Sequence, residues 1–168
     1  LIEHKLASFS GRKIGFKDPR LCITLDFWKI VFKRLNLKIH FHHIYRDPFE
    51  VALSLRKMYG FSIDTGICNW LHYNLMARKN IGKHECVIFD HKDMIYEAEI
   101  TVEKIAKKFD LDVQKSTVGL IDLSLFHNRE VGVDNTLPFR KDVEILYLKY
   151  KKSFDDAEAL FKRYEDIF

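Results

Sequence analysis

The stretch Tyr45-Arg46-Asp47-Pro48-Phe49-Glu50-Val51-Ala52-Leu53-Ser54 decides the fold, because a strand pattern meets a helix pattern inside it. Upstream, Leu37 to Tyr45 is apolar and β-branched enough for a buried strand. Downstream, Val51, Ala52, Leu55, Met58 and Tyr59 recur at helical spacing and define one apolar face. The junction is tightly specified: Asp47 suits the N-cap, Pro48 the first helical position, and Glu50 completes a capping-box pattern. Arg46 is thereby put at the carboxyl end of a strand, where open α/β sheets bind their ligands.

The helical period also places Ser54. It lies roughly 100° from the centre of the apolar stripe and about 10 Å along the helix, so it faces the flank rather than the core. An anion held by both Arg46 and Ser54 would lie alongside the helix. The helix tip already carries two acids, which compete with a phosphate for the free N–H groups. The plainer reading makes Arg46 a surface ion-pair partner and Ser54 an ordinary helix residue, and a short R-D-P pattern does not by itself decide between them.

On either side, strand and helix patterns alternate. Ile14 to Lys17 reads as a short strand, stopped by Asp18-Pro19, with Asp18 as N-cap of the next helix. Leu21, Leu25, Trp28, Phe32 and Leu35 keep a helical period, as do Ile63, Ile67, Trp70, Leu71, Asn74 and Ala77 after Gly60. Cys86 to Phe89 reads as a third strand closing at Asp90-His91, followed by a helix from Glu97 to Phe109. Residues 110 to 132 are less regular. Two closing helices over about 139–168 carry aromatic stripes that suit core or docking better than a cofactor. This order predicts one α/β domain over residues 1–168 with a parallel sheet, and the charged residues at its strand ends (Lys17-Asp18, Arg46-Asp47, Asp90-His91) converge on one crevice.

Composition narrows the partners. Lys and Arg exceed Asp and Glu by 28 − 24, a net +4 that suits an anionic ligand. The basic residues are not gathered into the stripe of a nucleic-acid reader, and Lys104, Lys107 and Lys108 fit a solvated helix face. His40 and His42 share one strand face and His43 the other; with no third ligand signalled, a polar lining beneath a pocket is a better reading than a metal site. Cys22, Cys68 and Cys86 have no metal spacing and are odd in number, which fits a reduced, cytoplasmic setting. No apolar run approaches the roughly 18 residues of a membrane span, and nothing resembles a signal peptide.

With the strand ends identified, the chain resembles the middle and C-terminal part of a sulfotransferase that uses 3′-phosphoadenosine-5′-phosphosulfate (PAPS), in the bacterial carbohydrate-type branch. The matching segments are Lys17-Asp18-Pro19-Arg20-Leu21-Cys22, Arg46-Asp47-Pro48 through Ser54, Trp70-Leu71-His72-Tyr73-Asn74, Phe89-Asp90-His91-Lys92-Asp93-Met94 and Leu123 to Arg129. Their specificity lies in the ordered set. The resemblance implies a three-layer, P-loop-NTPase-like parallel sheet flanked by helices, and transfer of a sulfuryl group to a hydroxyl of a carbohydrate or similar small acceptor. It assigns Arg46 and Ser54 to the 3′-phosphate of the donor and of its product 3′,5′-ADP. It brings Arg129 to the same phosphate and His91 to the adenine, where the family often has tyrosine. Lys17 matches a lysine beside the transferring group, and Asp18 and nearby histidines are the candidate bases, although Asp18 reads more simply as a helix cap.

The chain departs from the family at its front, where the strand and phosphate-cradling loop for the 5′-phosphosulfate are missing. Gly11-Arg12-Lys13-Ile14-Gly15 lacks P-loop spacing. The expectation is a domain truncated at its N-terminus that does not complete the cycle alone and that pairs with a second copy through exposed sheet edges. Two rivals stand beside it: a nucleotide kinase-like P-loop enzyme, disfavoured by the absent Walker-type loop, and a non-catalytic interaction domain that keeps the fold.

Overall fold

The structure, a computed structural model, describes residues 13–112 together with Lys141, Val143, Ile145, Tyr147 and Leu148. Within them the chain is mixed α/β and mostly helical. Helix α1 (Leu21–Arg34) precedes strand β1 (Phe41–Tyr45); α2 (Pro48–Tyr59) and α3 (Ile63–Ile81) lead to β2 (Cys86–Asp90), and α4 (His91–Tyr96) and α5 (Ala98–Phe109) follow. The two strands pair in parallel, Phe41 opposite Cys86 through Tyr45 opposite Asp90, with α2 and α3 forming the crossover.

Local sequence explains each boundary. Asp47 accepts hydrogen bonds from the N–H groups of Phe49 (2.9 Å) and Glu50 (3.3 Å), so the predicted cap of α2 forms, and Gly60 ends that helix at φ 72°. Ser62 caps α3 by accepting from Thr65 N–H at 3.0 Å. The predicted inner face of α3 is the core face: Ile67, Trp70 and Leu71 pack with Tyr45, Phe49, Ala52 and Leu75. Val143 and Tyr147, both helical, join this cluster, as their place in the closing stripe predicted. The second closing helix, the segment 113–132 and Arg129 lie outside the described residues.

Four expectations need correction. Residues 14–17 form no strand; Phe16 instead lays its ring against Trp28 and Phe32, at 6.0 and 5.9 Å between centroids. A four-residue run with a glycine, and with no partner strand beside it among the described residues, gains no ladder there to offset its ordering. The strand predicted from Leu37 begins only at Phe41. α1 starts at Leu21 rather than at Pro19. On α2, Met58 and Tyr59 are 66% and 62% exposed, so the apolar face is buried only in its first turns, where α3 crosses it.

The crossing is close. Gly66 of α3 sits against Ala52 of α2, where a Cβ on Gly66 would meet the Ala52 Cα at 2.6 Å. Glycine is required at this contact because the obstacle is backbone.

β1 alternates as predicted, with Phe41, His43 and Tyr45 buried and His42 and Ile44 exposed. His43 is buried and its Nε2 lies 3.0 Å from the Asn74 Oδ1. Burial drives its imidazole down to about 4, against which the Asn74 bond acts weakly. A histidine whose folded pKa is depressed favours folding fully above its unfolded value of about 6.5, and that contribution is lost as pH falls from there toward 4. The melting temperature is therefore expected to drop by several degrees between pH 7 and pH 5. His43→Gln should flatten that slope in a calorimetric pH series; an unchanged slope would place the proton uptake elsewhere.

Candidate functional site

The parallel register ends with Tyr45 opposite Asp90, so both chains leave the sheet side by side. Arg46 and Asp47 enter α2; Asp90 caps α4, accepting from Lys92 N–H at 2.9 Å while the Asp93 carboxylate accepts from Asp90 N–H at 3.1 Å. The expected convergence of these two strand ends is present. In the third member, Lys17-Asp18, the aspartate is paired with Arg20 ahead of α1.

Glu50 is the centre of the site. It is 2% exposed, and its two oxygens are divided between two cations: Arg46 Nε at 3.0 Å and Lys92 Nζ at 3.1 Å. A carboxylate this deeply buried is costly to leave without such charged, hydrogen-bonding partners. The capping-box role expected of Glu50 is therefore not the one it takes, because the cations compete for the same oxygens. Burial opposes the charge on Lys92 more than any other single influence, but the Glu50 bond together with the charges of Glu50, Asp47 and Asp90 outweighs it and raises the ammonium's pKa. Trp70 Nε1 donates to the Arg46 carbonyl at 2.7 Å, which fixes the backbone from which the guanidinium projects.

Below this layer, Tyr147 donates from its hydroxyl to the buried Asp90 carboxylate at 2.9 Å. Burial first, and then the Asp90 charge, push the Tyr45 phenol well above its ordinary range; burial and the Asp90 bond do the same to Tyr147. Both are held as neutral phenols. His91 opens α4, and burial followed by the Arg46 charge lowers its imidazole, so it is neutral at pH 7 and stands in the field of Arg46.

Ser54 is half-buried one helical turn beyond Glu50 on the same flank of α2. Arg46 reaches Glu50 from just ahead of α2, Ser54 follows Glu50 by one turn, and the Arg46 charge acts on His91. Lys17 is exposed. Asp18 accepts from Arg20 N–H (2.8 Å), Nε (2.9 Å) and Nη2 (2.6 Å), and those bonds hold it down at about 2. In this arrangement it is a weak base and a turn-stabilising acceptor. His40 and His42 stand toward the start of β1, their rings 4.6 and 4.4 Å from that of Phe109, so they do not line the Arg46 end. His43 does lie beneath the site, through Asn74 and Trp70 on α3.

Sequence reasoning missed Glu50 as a buried bridge and Lys92 as its second partner. The Arg46–Glu50 spacing of four was a legible signal; Lys92 was not, because only the strand register brings it near. A cleft of about 230 Å³ between β2 and α5, lined by Val87, Phe89, Asp93, Thr101 and Lys104, shares only Asp93 with these residues. Among the described residues no group of three or more His, Cys, Asp or Glu side chains is placed to hold a metal ion, and no helix is long and apolar enough to cross a membrane. All three thiols are free and raised by burial, Cys86 to about 12.

Comparison of the chain with protein-family models, with curated proteins and with solved structures finds no significant match to any of them.

Proposed function

We propose that this chain is a sulfotransferase-like domain that recognises the 3′-phosphate of PAPS and of 3′,5′-ADP, within a three-layer P-loop-like fold. The observation that carries the reading is Arg46 at the carboxyl end of β1, beside the parallel strand end at Asp90 and paired with Glu50, with Ser54 one helical turn beyond Glu50 on α2. Guanidinium offers a fork of donors to phosphate oxygens, and a serine hydroxyl adds a neutral one. The ordered segments from Lys17 to Arg129 support the same class.

A bound donor would supply a sulfuryl group to the oxygen of an acceptor hydroxyl, of a carbohydrate or similar molecule, with the sulfur–oxygen bond to the 5′-phosphate broken, 3′,5′-ADP leaving and the hydroxyl proton passing to a base. In this reading Arg46 and Ser54 hold the 3′-phosphate and orient the nucleotide. Neutral His91 offers its ring to the adenine, and the family resemblance assigns Arg129, which lies outside the described residues, to the same phosphate. Lys17 offsets charge on the leaving oxygens. Asp18, tied to Arg20, serves the turn ahead of α1 unless that pair opens.

Ser54→Ala removes one neutral hydrogen bond, so 3′,5′-ADP should bind about two- to tenfold more weakly, with 5′-AMP unchanged. Titration calorimetry on the whole chain measures both. Equal binding of 3′,5′-ADP by the variant and the parent would remove Ser54 from the site.

A further inference from the structure

Lys92 has no role in the reading above, yet it is tied to Arg46 through a single buried carboxylate. Glu50 gives one oxygen to Arg46 Nε at 3.0 Å and the other to Lys92 Nζ at 3.1 Å. The bridge is asymmetric in exposure. The Glu50 side chain is 3% exposed, whereas those of Arg46 and Lys92 are 27% and 34% exposed. The anion is inside and the two cations reach the surface on its outer side.

Charge counting says what this does. Among the described residues, two cations face the one Glu50 carboxylate. Asp47 and Asp90, which also act on Lys92, make the wider surround acidic. A general positive field is therefore not what draws an anion here, and any attraction must come from the two cations at contact distance. The inner carboxylate fixes both heads and lowers the ordering entropy that a free lysine would lose on binding.

We infer that Lys92 is a second phosphate-binding cation of this site, positioned by Glu50 so that a phosphate monoester lies across the Arg46 and Lys92 heads. The inference rests on the proposed 3′-phosphate reading and extends it: the site selects a dianionic phosphate monoester over a singly charged or neutral group. Glu50 is a positioning residue, since its oxygens face the cations.

The test is titration of the whole chain with 3′,5′-ADP and with 5′-AMP, using the parent, Lys92→Ala, Lys92→Arg and Arg46→Ala. Lys92→Ala should weaken 3′,5′-ADP about tenfold or more and leave 5′-AMP within about threefold; Lys92→Arg should restore most of the loss. Wild-type affinity in Lys92→Ala, alongside a loss in Arg46→Ala, overturns the role of Lys92 and leaves the 3′-phosphate reading standing. No loss in either overturns both. Should Lys92→Ala fail to fold, lysine acetylation of the parent chain followed by mass spectrometry gives the same answer. Protection of Lys92 by 3′,5′-ADP but not by adenosine supports the inference, and equal labelling in both overturns it.

Discussion

Arg46→Ala lowers the affinity for 3′,5′-ADP by about ten- to a hundredfold, the largest loss expected from a single side chain here. Among the described residues the Arg46 guanidinium supplies the planar set of donors at this strand end, and its backbone is pinned by the Trp70 indole. Arg46→Lys keeps the charge but loses the fork, so an intermediate loss is expected. Binding of 5′-AMP, which lacks the 3′-phosphate, should change by less than about threefold. Glu50 keeps Lys92 as a partner in the variant, so the chain is expected to fold, with a lowered melting temperature because half of a buried pair is gone. Calorimetry with the two nucleotides, after circular dichroism has shown the variant folded, reads the effect. A loss shared equally by both nucleotides would mean that Arg46 acts on the fold and not on the 3′-phosphate.

Gly66→Val destabilises the chain by about 3 kcal/mol, the largest stability effect expected from one substitution. The new Cβ would stand 2.6 Å from the Ala52 Cα and 2.7 Å from its Cβ, and neither can rotate away. The two helices must move apart, opening the cluster of Phe49, Ala52, Ile67 and Trp70. The damage reaches the site, because α3 carries the Trp70 that fixes Arg46 and the Asn74 that satisfies His43. Gly15→Val is the control: nothing lies within 4 Å of a Cβ there, and a change within about 0.5 kcal/mol is expected. Urea denaturation of the two variants separates these outcomes, and equal stability would deny that α2 and α3 pack as closely as described.

What could be read from the sequence was what local chemistry specifies. The Asp47-Pro48 start of α2, the inner face of α3 and the alternation of β1 follow from caps and periods within a few residues. The failures share a cause. Residues 14–17 have strand composition, but a strand exists only when another lies beside it, and Phe16 found a better partner in the rings of α1. Glu50 satisfied a local rule and was captured by a non-local one, since Lys92, forty-two positions on, arrives through the Tyr45–Asp90 register. Helix α4 was signalled by the Asp90 to Asp93 spacing, which forms a complete capping box. It was passed over because six residues are too few to show a period.

The site followed the same division. Glu50 and Ser54 lie one turn apart on α2, and Arg46 reaches Glu50 from just ahead of the cap, relations that spacing makes legible. Lys17 and Asp18 belong to a different strand end in the expected fold, and that strand is not formed. Asp18 is held by Arg20, and the residues brought together at the described site are two cations around the buried Glu50 carboxylate.

The most direct measurement is nucleotide selectivity of the whole chain, read as the rise in melting temperature with 3′,5′-ADP, 5′-AMP and ATP at matched concentrations. A 3′-phosphate site predicts the largest rise with 3′,5′-ADP, abolished by Arg46→Ala. A larger rise with ATP would point to a kinase-like site, and no rise with any of the three would leave the fold serving as an interaction domain.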